Sequence, residues 1–299
     1  MCGIVGLYLK DKKLESKLGK LFTPMLIEMT NRGPDSAGVA IYRDPVGKQE
    51  LKVTLSHSDP EFDWPALLHD LKKLYDKTSG EQVGNHFVMV TSASEEHVRS
   101  FLSAHAPGVA VVGTGHVIEI FKEVGLPKDV AAMYDLEAAH GSHAIGHTRM
   151  ATESAVTTAG SHPFATGQDL CLVHNGSLSN HNRWREWLRK HAKIEFQTEN
   201  DTEVAAAYLT WKLREGASLK EALESSLNDL DGFYTFVAGT ADGFAVLRDP
   251  IACKPAVMAE TDDWVAFGSE FRALRKLPGI DKAKVWEPEP AIVYSWGGA

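Results

Sequence analysis

The 299-residue chain is short of several things, and each shortage closes off a class of function. It has only three cysteines, Cys2, Cys171 and Cys253. They are far apart and odd in number, which excludes a disulfide framework and points to a reducing compartment. No apolar run is long enough to span a bilayer, and the N-terminus lacks the basic region and hydrophobic stretch of a secretory leader. Positive charge is also scarce: 31 Lys and Arg against 40 Asp and Glu give a formal charge of −9. That balance argues against a nucleic-acid or anionic-membrane surface. The reading is therefore cytoplasmic, with no membrane and no nucleic acid. Internal repeats and low-complexity linkers are missing, and Gly113-Thr114-Gly115 is too short for a phosphate loop. What remains is ordinary, with 43% hydrophobic and 24% charged residues. This is enough apolar material for a sizeable core in one large or two ordinary domains.

The informative stretch is Met1-Cys2-Gly3-Ile4-Val5-Gly6. Removal of Met1 would leave a thiol and a free α-amine on one residue, with ordinary pKa values of about 8.5 and about 7.7–8.0. Cys2 could then supply both a nucleophile and, through a water, the base that activates it. The run from Ile4 to Leu9 reads as a buried strand that would hold this terminus still. The plain alternative is a small hydrophobe opening a strand.

Further along, Leu18, Leu21, Phe22, Met25, Leu26 and Met29 recur at helical spacing. The helix stops at Asn31-Arg32-Gly33-Pro34-Asp35, a turn whose charged pair could brace whatever lies beside the first strand. A strand follows from Ser36 to Tyr42. Residues from about 52 to 137 read as a patchwork of short strands and helices without a chemical motif. His140, His143 and His147 follow closely, but strand geometry puts His143 and His147 two pleats apart, too far for easy shared metal ligation. Arg149, at a strand end, could clamp a carboxylate in a bidentate fork or form a surface salt bridge. Leu170 to Val173 reads as a strand that ends at Asn175-Gly176. There a side-chain amide and a backbone N–H could form an oxyanion hole, or simply a hairpin turn. Asn200 and Glu203 fit a helix capping box, which leaves Asp201 spare to hold an ammonium group. The last third is rich in strands.

Taken together, Cys2-Gly-Ile-Val-Gly, Arg32-Gly33-Pro34-Asp35-Ser36, His147-Thr148-Arg149, His174-Asn175-Gly176, Asp201-Thr202-Glu203, Arg248-Asp249-Pro250 and Ser269-Glu270 resemble the class II glutamine amidotransferases, which are N-terminal-nucleophile hydrolases. The resemblance runs from Cys2 to about residue 273. It implies an α+β fold, a four-layer αββα sandwich of two antiparallel sheets, in a single domain over 2–299 with an insert at about 52–137. It also implies that Cys2 attacks the side-chain amide of L-glutamine. Asn175 and the N–H of Gly176 would hold the oxyanion, Arg149 the α-carboxylate and Asp201 the α-ammonium. Thr152 would line the pocket, with Arg32 and Asp35 in support. Relatives like glucosamine-phosphate synthase carry a Trp and a His where this chain has Met150 and Glu153, and that Trp gates their ammonia.

After Ser269 only about thirty residues remain, far short of a domain. The expectation is thus a stand-alone glutaminase subunit resembling those of glutamate-synthase-like or N-methylglutamate synthase assemblies, hetero-oligomeric with ammonia-accepting synthase subunits. No cofactor or metal is expected on this chain, and flavin and iron–sulfur centres would sit on partners. The alternative is a non-catalytic glutamine- or glutamate-binding subunit that retains Met1.

Overall fold

The computed structural model describes residues 2–151 and 156–299. Met1, Thr152 and Glu153, all named above, lie outside the described residues. In chain order the first elements are β1 (Gly3–Leu9), α1 (Leu18–Glu28), β2 (Ser36–Tyr42), β3 (Leu51–Ser56), α2 (Trp64–Leu74), β4 (Thr78–Val83), β5 (His86–Thr91), α3 (Glu95–His105) and β6 (Ala110–Gly115). Next come β7 (Ile118–Val124), α4 (Pro127–Met133), β8 (His143–Arg149), β9 (Phe164–Gly167), β10 (Leu170–Leu178), α5 (His181–Trp187), α6 (Asp201–Arg214) and α7 (Leu219–Asp229). The chain closes with β11 (Gly232–Thr240), β12 (Gly243–Arg248), β13 (Val257–Glu260), β14 (Trp264–Gly268), β15 (Lys284–Trp286) and β16 (Val293–Gly297).

The strands form a seven-stranded sheet in the order β15-β13-β14-β1-β8-β2-β7 and a five-stranded sheet in the order β16-β12-β11-β10-β9, with antiparallel neighbours throughout. Three apolar cores glue four layers together. One joins α1 and α4 to the outer face of the seven-stranded sheet through Phe22, Leu26, Val5 and Leu7. The second fills the space between the sheets with Ile4, Ile145, Val173, Val237 and Phe244. The third joins the five-stranded sheet to α6 and α7 through Leu172, Phe236, Tyr208 and Leu223. This is the αββα sandwich, and the period-2 alternation of the strands assigns alternate residues to different cores.

β1 is central and buried on both faces, which is why it reads as an unbroken apolar run rather than an alternating one. α1 covers the face that carries Val5 and Leu7. At Gly3 a Cβ would lie 2.8 Å from the Cβ of Met29, so the helix end packs onto bare backbone there.

The expected insert divides in two. Residues 51–115 form a separate four-stranded sheet, β4-β5-β3-β6, with α2 and α3 packed on Val53, Leu55, Phe87 and Met89 to make a fourth core. Its β-α-β-β-α-β sequence and strand order are the split-βαβ arrangement. Residues beyond it belong to the sandwich instead: β7 pairs with β2 along its length, and α4 packs beside α1. The strand character of β7 is hidden in sequence by its charges. One of these is neutralised through space, since Glu119 meets Lys52 Nζ at 3.0 Å and Arg43 Nε at 2.9 Å. Among the described residues, no helix is long and apolar enough to cross a membrane.

Candidate active site

The site grows out of one end of the layer between the sheets. In β1, Ile4 and Tyr8 face that layer, so the alternation carries Cys2 toward it, half-buried. In β8, Ile145 and His147 face it, and Arg149 is next in the same row. In β10, Cys171 and Val173 face it, and Asn175 follows. Three strands thus bring Cys2, Arg149 and Asn175 to one end of one layer. The register fixes them: Gly3 lies opposite Thr148, and Val173 opposite Val237.

Cys2 is held by its own carbonyl. Arg32 Nε donates to it at 2.9 Å and Asn175 Nδ2 at 3.3 Å. Arg32 is in turn paired with Glu270 at 2.7 Å, a residue quoted above only as part of a motif. Its neighbour Ser269 accepts the Ile4 N–H on its hydroxyl, and its own N–H donates to the Ile4 carbonyl, both at 2.9 Å. The first residues are therefore tied down from three directions. Gly33 lets the turn pass against β8, since a Cβ there would lie 2.2 Å from the Thr148 carbonyl carbon. Asp35 braces the end of β8: its N–H donates to Arg149 O at 3.0 Å, and its carboxylate accepts from Ala151 N at 2.8 Å. Arg32 thus contacts the residue that precedes β1, and Asp35 the end of β8, the strand beside it.

Asn175 and Gly176 do not end their strand, as expected above. β10 runs on to Leu178, with Asn175 opposite Thr235 and Gly176 opposite Tyr234. The hairpin alternative fails because the chain does not reverse there. Gly176 has φ +154, and a Cβ would lie 1.9 Å from Phe233 O, so no other residue fits.

Asp201 opens α6, capped by Asn200, whose side chain accepts from Thr202 N at 2.9 Å. The expected capping box is not formed. Glu203 reaches past Asn200 to accept from Gln197 N at 2.7 Å and Thr198 N at 2.8 Å; the reciprocal box occurs at Ser218 and Glu221 instead. Asp201 does not serve as the N-cap. Its carboxylate accepts from Leu178 N at 3.0 Å and stands 3.7 Å from His174 Nδ1. Burial alone would raise this carboxyl, but His174, the Leu178 N–H and His181 outweigh it and bring it down to about 2. It is an anion at neutral pH.

Around these groups lie buried imidazoles that motif reading gave no role. His147 Nε2 meets His174 O at 3.0 Å, and His162 packs edge-on against His147 at 3.9 Å between ring centroids. Burial pushes His147 down to about 3 and His162 well below its usual value, so both are neutral. Arg248 and Asp249, also quoted as a motif, make a buried turn brace: Arg248 donates to Ala252 O and Lys254 O at 2.5 and 2.9 Å. Among the described residues no group of three or more His, Cys, Asp or Glu gathers as a metal site would require. A cavity of about 840 Å³ lies elsewhere, between residues 51–115 and the sandwich, lined by Val111, Lys122, Phe164, Gln197 and Glu203 among others.

A half-buried thiol at a tethered N-terminal strand, with a side-chain amide within reach, is an arrangement that can carry out acyl transfer. The comparisons give the family. The model of a glutamine amidotransferase domain matches residues 147–276, the part that carries Arg149, Asn175 and Asp201. The chain is 57% identical, over 99% of its length and 98% of the relative, to the glutamine amidotransferase-like protein GlxB of Rhizobium meliloti. It is 36% identical, over 98% and 99% respectively, to a putative glutamine amidotransferase of Methanothermobacter thermautotrophicus. In fold it is similar to glutamine phosphoribosylpyrophosphate amidotransferase from B. subtilis, with a TM-score of 0.60 at 20% identity over all of this chain and 49% of that one. The chain belongs to the class II glutamine amidotransferases.

Proposed function

We propose that the chain is a cytoplasmic glutaminase subunit that makes a glutamyl thioester on Cys2 and delivers ammonia to a synthase partner chain of the glutamate-synthase or N-methylglutamate-synthase kind. In this reading Cys2 Sγ attacks the side-chain amide carbon of L-glutamine. The thiol proton passes through the freed α-amine to the departing nitrogen, which leaves as ammonia. Water then cleaves the thioester, giving glutamate and restoring the thiol. Asn175 Nδ2 and Gly176 N–H stabilise the oxyanion, and Arg149 and Asp201 hold the α-carboxylate and α-ammonium. The observation that carries this is the delivery of Cys2, Arg149 and Asn175 to one end of one layer by three strands. Flavin and iron–sulfur chemistry belongs to the partners.

The test is intact mass after incubation with 6-diazo-5-oxo-norleucine, a glutamine-shaped electrophile. Loss of Met1 with one adduct on Cys2 is the expected result. A chain that keeps Met1 and takes no adduct, in cell extract as well as pure, sinks the proposal in favour of a non-catalytic subunit. The partner half is tested separately. Replacing residues 51–115 by a short linker is expected to abolish co-purification with the synthase partner while Cys2 still labels, and retained co-purification counts against that half alone.

A further inference from the structure

Lys122 lies on β7, on the face where Ile118 and Ile120 join the core between the sheets. At its position the layer turns polar, and Lys122 is buried beside the cavity described above. It donates to three carbonyls of one short segment: Ala159 O at 3.1 Å, Ser161 O at 2.9 Å and Pro163 O at 3.4 Å. The Phe164 ring stands beneath it, 4.6 Å from Nζ to the centroid. An ammonium has three donors and no acceptor, and taking it out of water is expensive unless all three are used. Here all three are used on alternate carbonyls of five residues, so the segment must curl around the charge.

The same segment touches the site. A Cβ placed on Gly160 would lie 3.5 Å from Arg149 Nη1, so that guanidinium rests close to Gly160. The Gly160 carbonyl accepts from Asn200 Nδ2 at 3.4 Å, the N-cap of the helix that Asp201 opens. Thr158, two residues earlier, donates to Glu123, the neighbour of Lys122 on β7. β2 gives way to let the segment in: at Gly38 a Cβ would lie 2.2 Å from His162 O and 2.6 Å from the Lys122 Cβ. One buried cation thus shapes the backbone lying between Arg149 and the start of α6.

We infer that Lys122 is a positioning residue for recognition of the glutamine α-carboxylate: by fixing residues 159–163 it fixes the guanidinium of Arg149. The inference rests on the proposed role of Arg149 as the carboxylate clamp. Without the ammonium, the carbonyls of Ala159, Ser161 and Pro163 lose their common donor, the segment must re-form, and Arg149 loses its backing. Lys122 itself makes no contact with substrate in this account.

The experiment uses the full-length chain carrying Cys2→Ala, so that ligands bind without turnover. Titration calorimetry compares L-glutamine with 4-aminobutanamide, the same molecule without its α-carboxylate. The parent chain is expected to prefer glutamine by about tenfold or more, the worth of a charge-assisted pair. Adding Lys122→Met should bring that preference to within about threefold by weakening glutamine alone. Where the analogue binds too weakly to titrate, the loss of glutamine affinity is the deciding reading. A folded Lys122→Met chain that binds glutamine as the parent does overturns the inference. A parent that binds glutamine without preferring it over the analogue overturns the role of Arg149 instead. If Lys122→Met does not fold, Phe164→Leu decides: it removes the ring beneath the ammonium and should narrow the preference in the same direction, and an unchanged preference overturns the inference.

Discussion

Two cysteines face the same layer between the same two sheets, and their surroundings are opposite. Cys171 lies at the apolar end, wholly enclosed, with the Tyr42 hydroxyl 3.3 Å from its sulfur. Burial pushes its thiol up to about 11, so at neutral pH it is an inert packing group. Cys2 lies at the other end, half-open, beside Arg32 and Asn175. Each strand repeats the change along its length. β1 passes from Tyr8 to Ile4 to Cys2, β10 from Cys171 and Val173 to Asn175, and β7 from Ile118 and Ile120 to Lys122. Position along the layer, more than residue type, decides which groups can do chemistry. The apolar end makes the polar end possible, because it sets the register that lines the polar residues up.

The largest way to break the contrast is to exchange the thiols' fates. Cys2→Ala should abolish glutamine-dependent ammonia release, whereas Cys171→Ala should leave kcat and KM unchanged. A steady-state assay of both variants checks this, and residual turnover in Cys2→Ala at more than about a thousandth of the parent rate would count against the thiol as nucleophile. Next, Asn175→Ala should lower kcat by about a hundredfold or more with a smaller change in KM, as loss of one oxyanion donor does. A variant that alters only KM would make Asn175 a ground-state contact. Asp201→Ala should act mainly on KM for glutamine, raising it about tenfold, the worth of one charge-assisted bond. An unchanged KM would remove Asp201 from the substrate.

The mildest effect concerns two histidines of β8. His143 and His147 are both held neutral by burial, down to about 3 in the folded chain against an ordinary 6.5. Between those values the unfolded chain takes up protons that the folded chain refuses, so stability is full above about pH 6.5 and falls as the pH drops toward 3. At pH 5 each contributes a loss of about 1–2 kcal/mol. Urea unfolding at pH 7 and pH 5 reads this directly, and a midpoint that does not fall on acidification would contradict it.

Much of this was legible in the chain and some was not, for physical reasons. α1 and α2 announce themselves because each buries one stripe against one surface, which leaves a clean helical period. β1 reads as a buried run for the converse reason, with an apolar core on each side. β7 was missed because Glu119, Lys122 and Glu123 look like a solvated segment, yet each finds a partner from another element. β4 was missed as well, being a mostly exposed and polar edge strand. At the site, motif resemblance supplied residues that spacing alone could not. It did not supply Lys122, whose signal was a lone lysine between Phe121 and the strand end on an otherwise apolar face. Asn175-Gly176 reads as a strand end because that pair favours turns in isolation, and the β11 partner overrides the preference.

The four-stranded unit has a consequence for how such a chain can be remodelled. Its first and last strands, β3 and β6, are direct neighbours, with Lys52 opposite Gly115. The chain therefore leaves the sandwich and returns to it at almost the same point, separated by about one interstrand spacing of roughly 5 Å. Viewed from the sandwich, all of residues 51–115 is an elaborated hairpin tip. Recombination could exchange, enlarge or delete such a tip while leaving the strand order of both large sheets as it is.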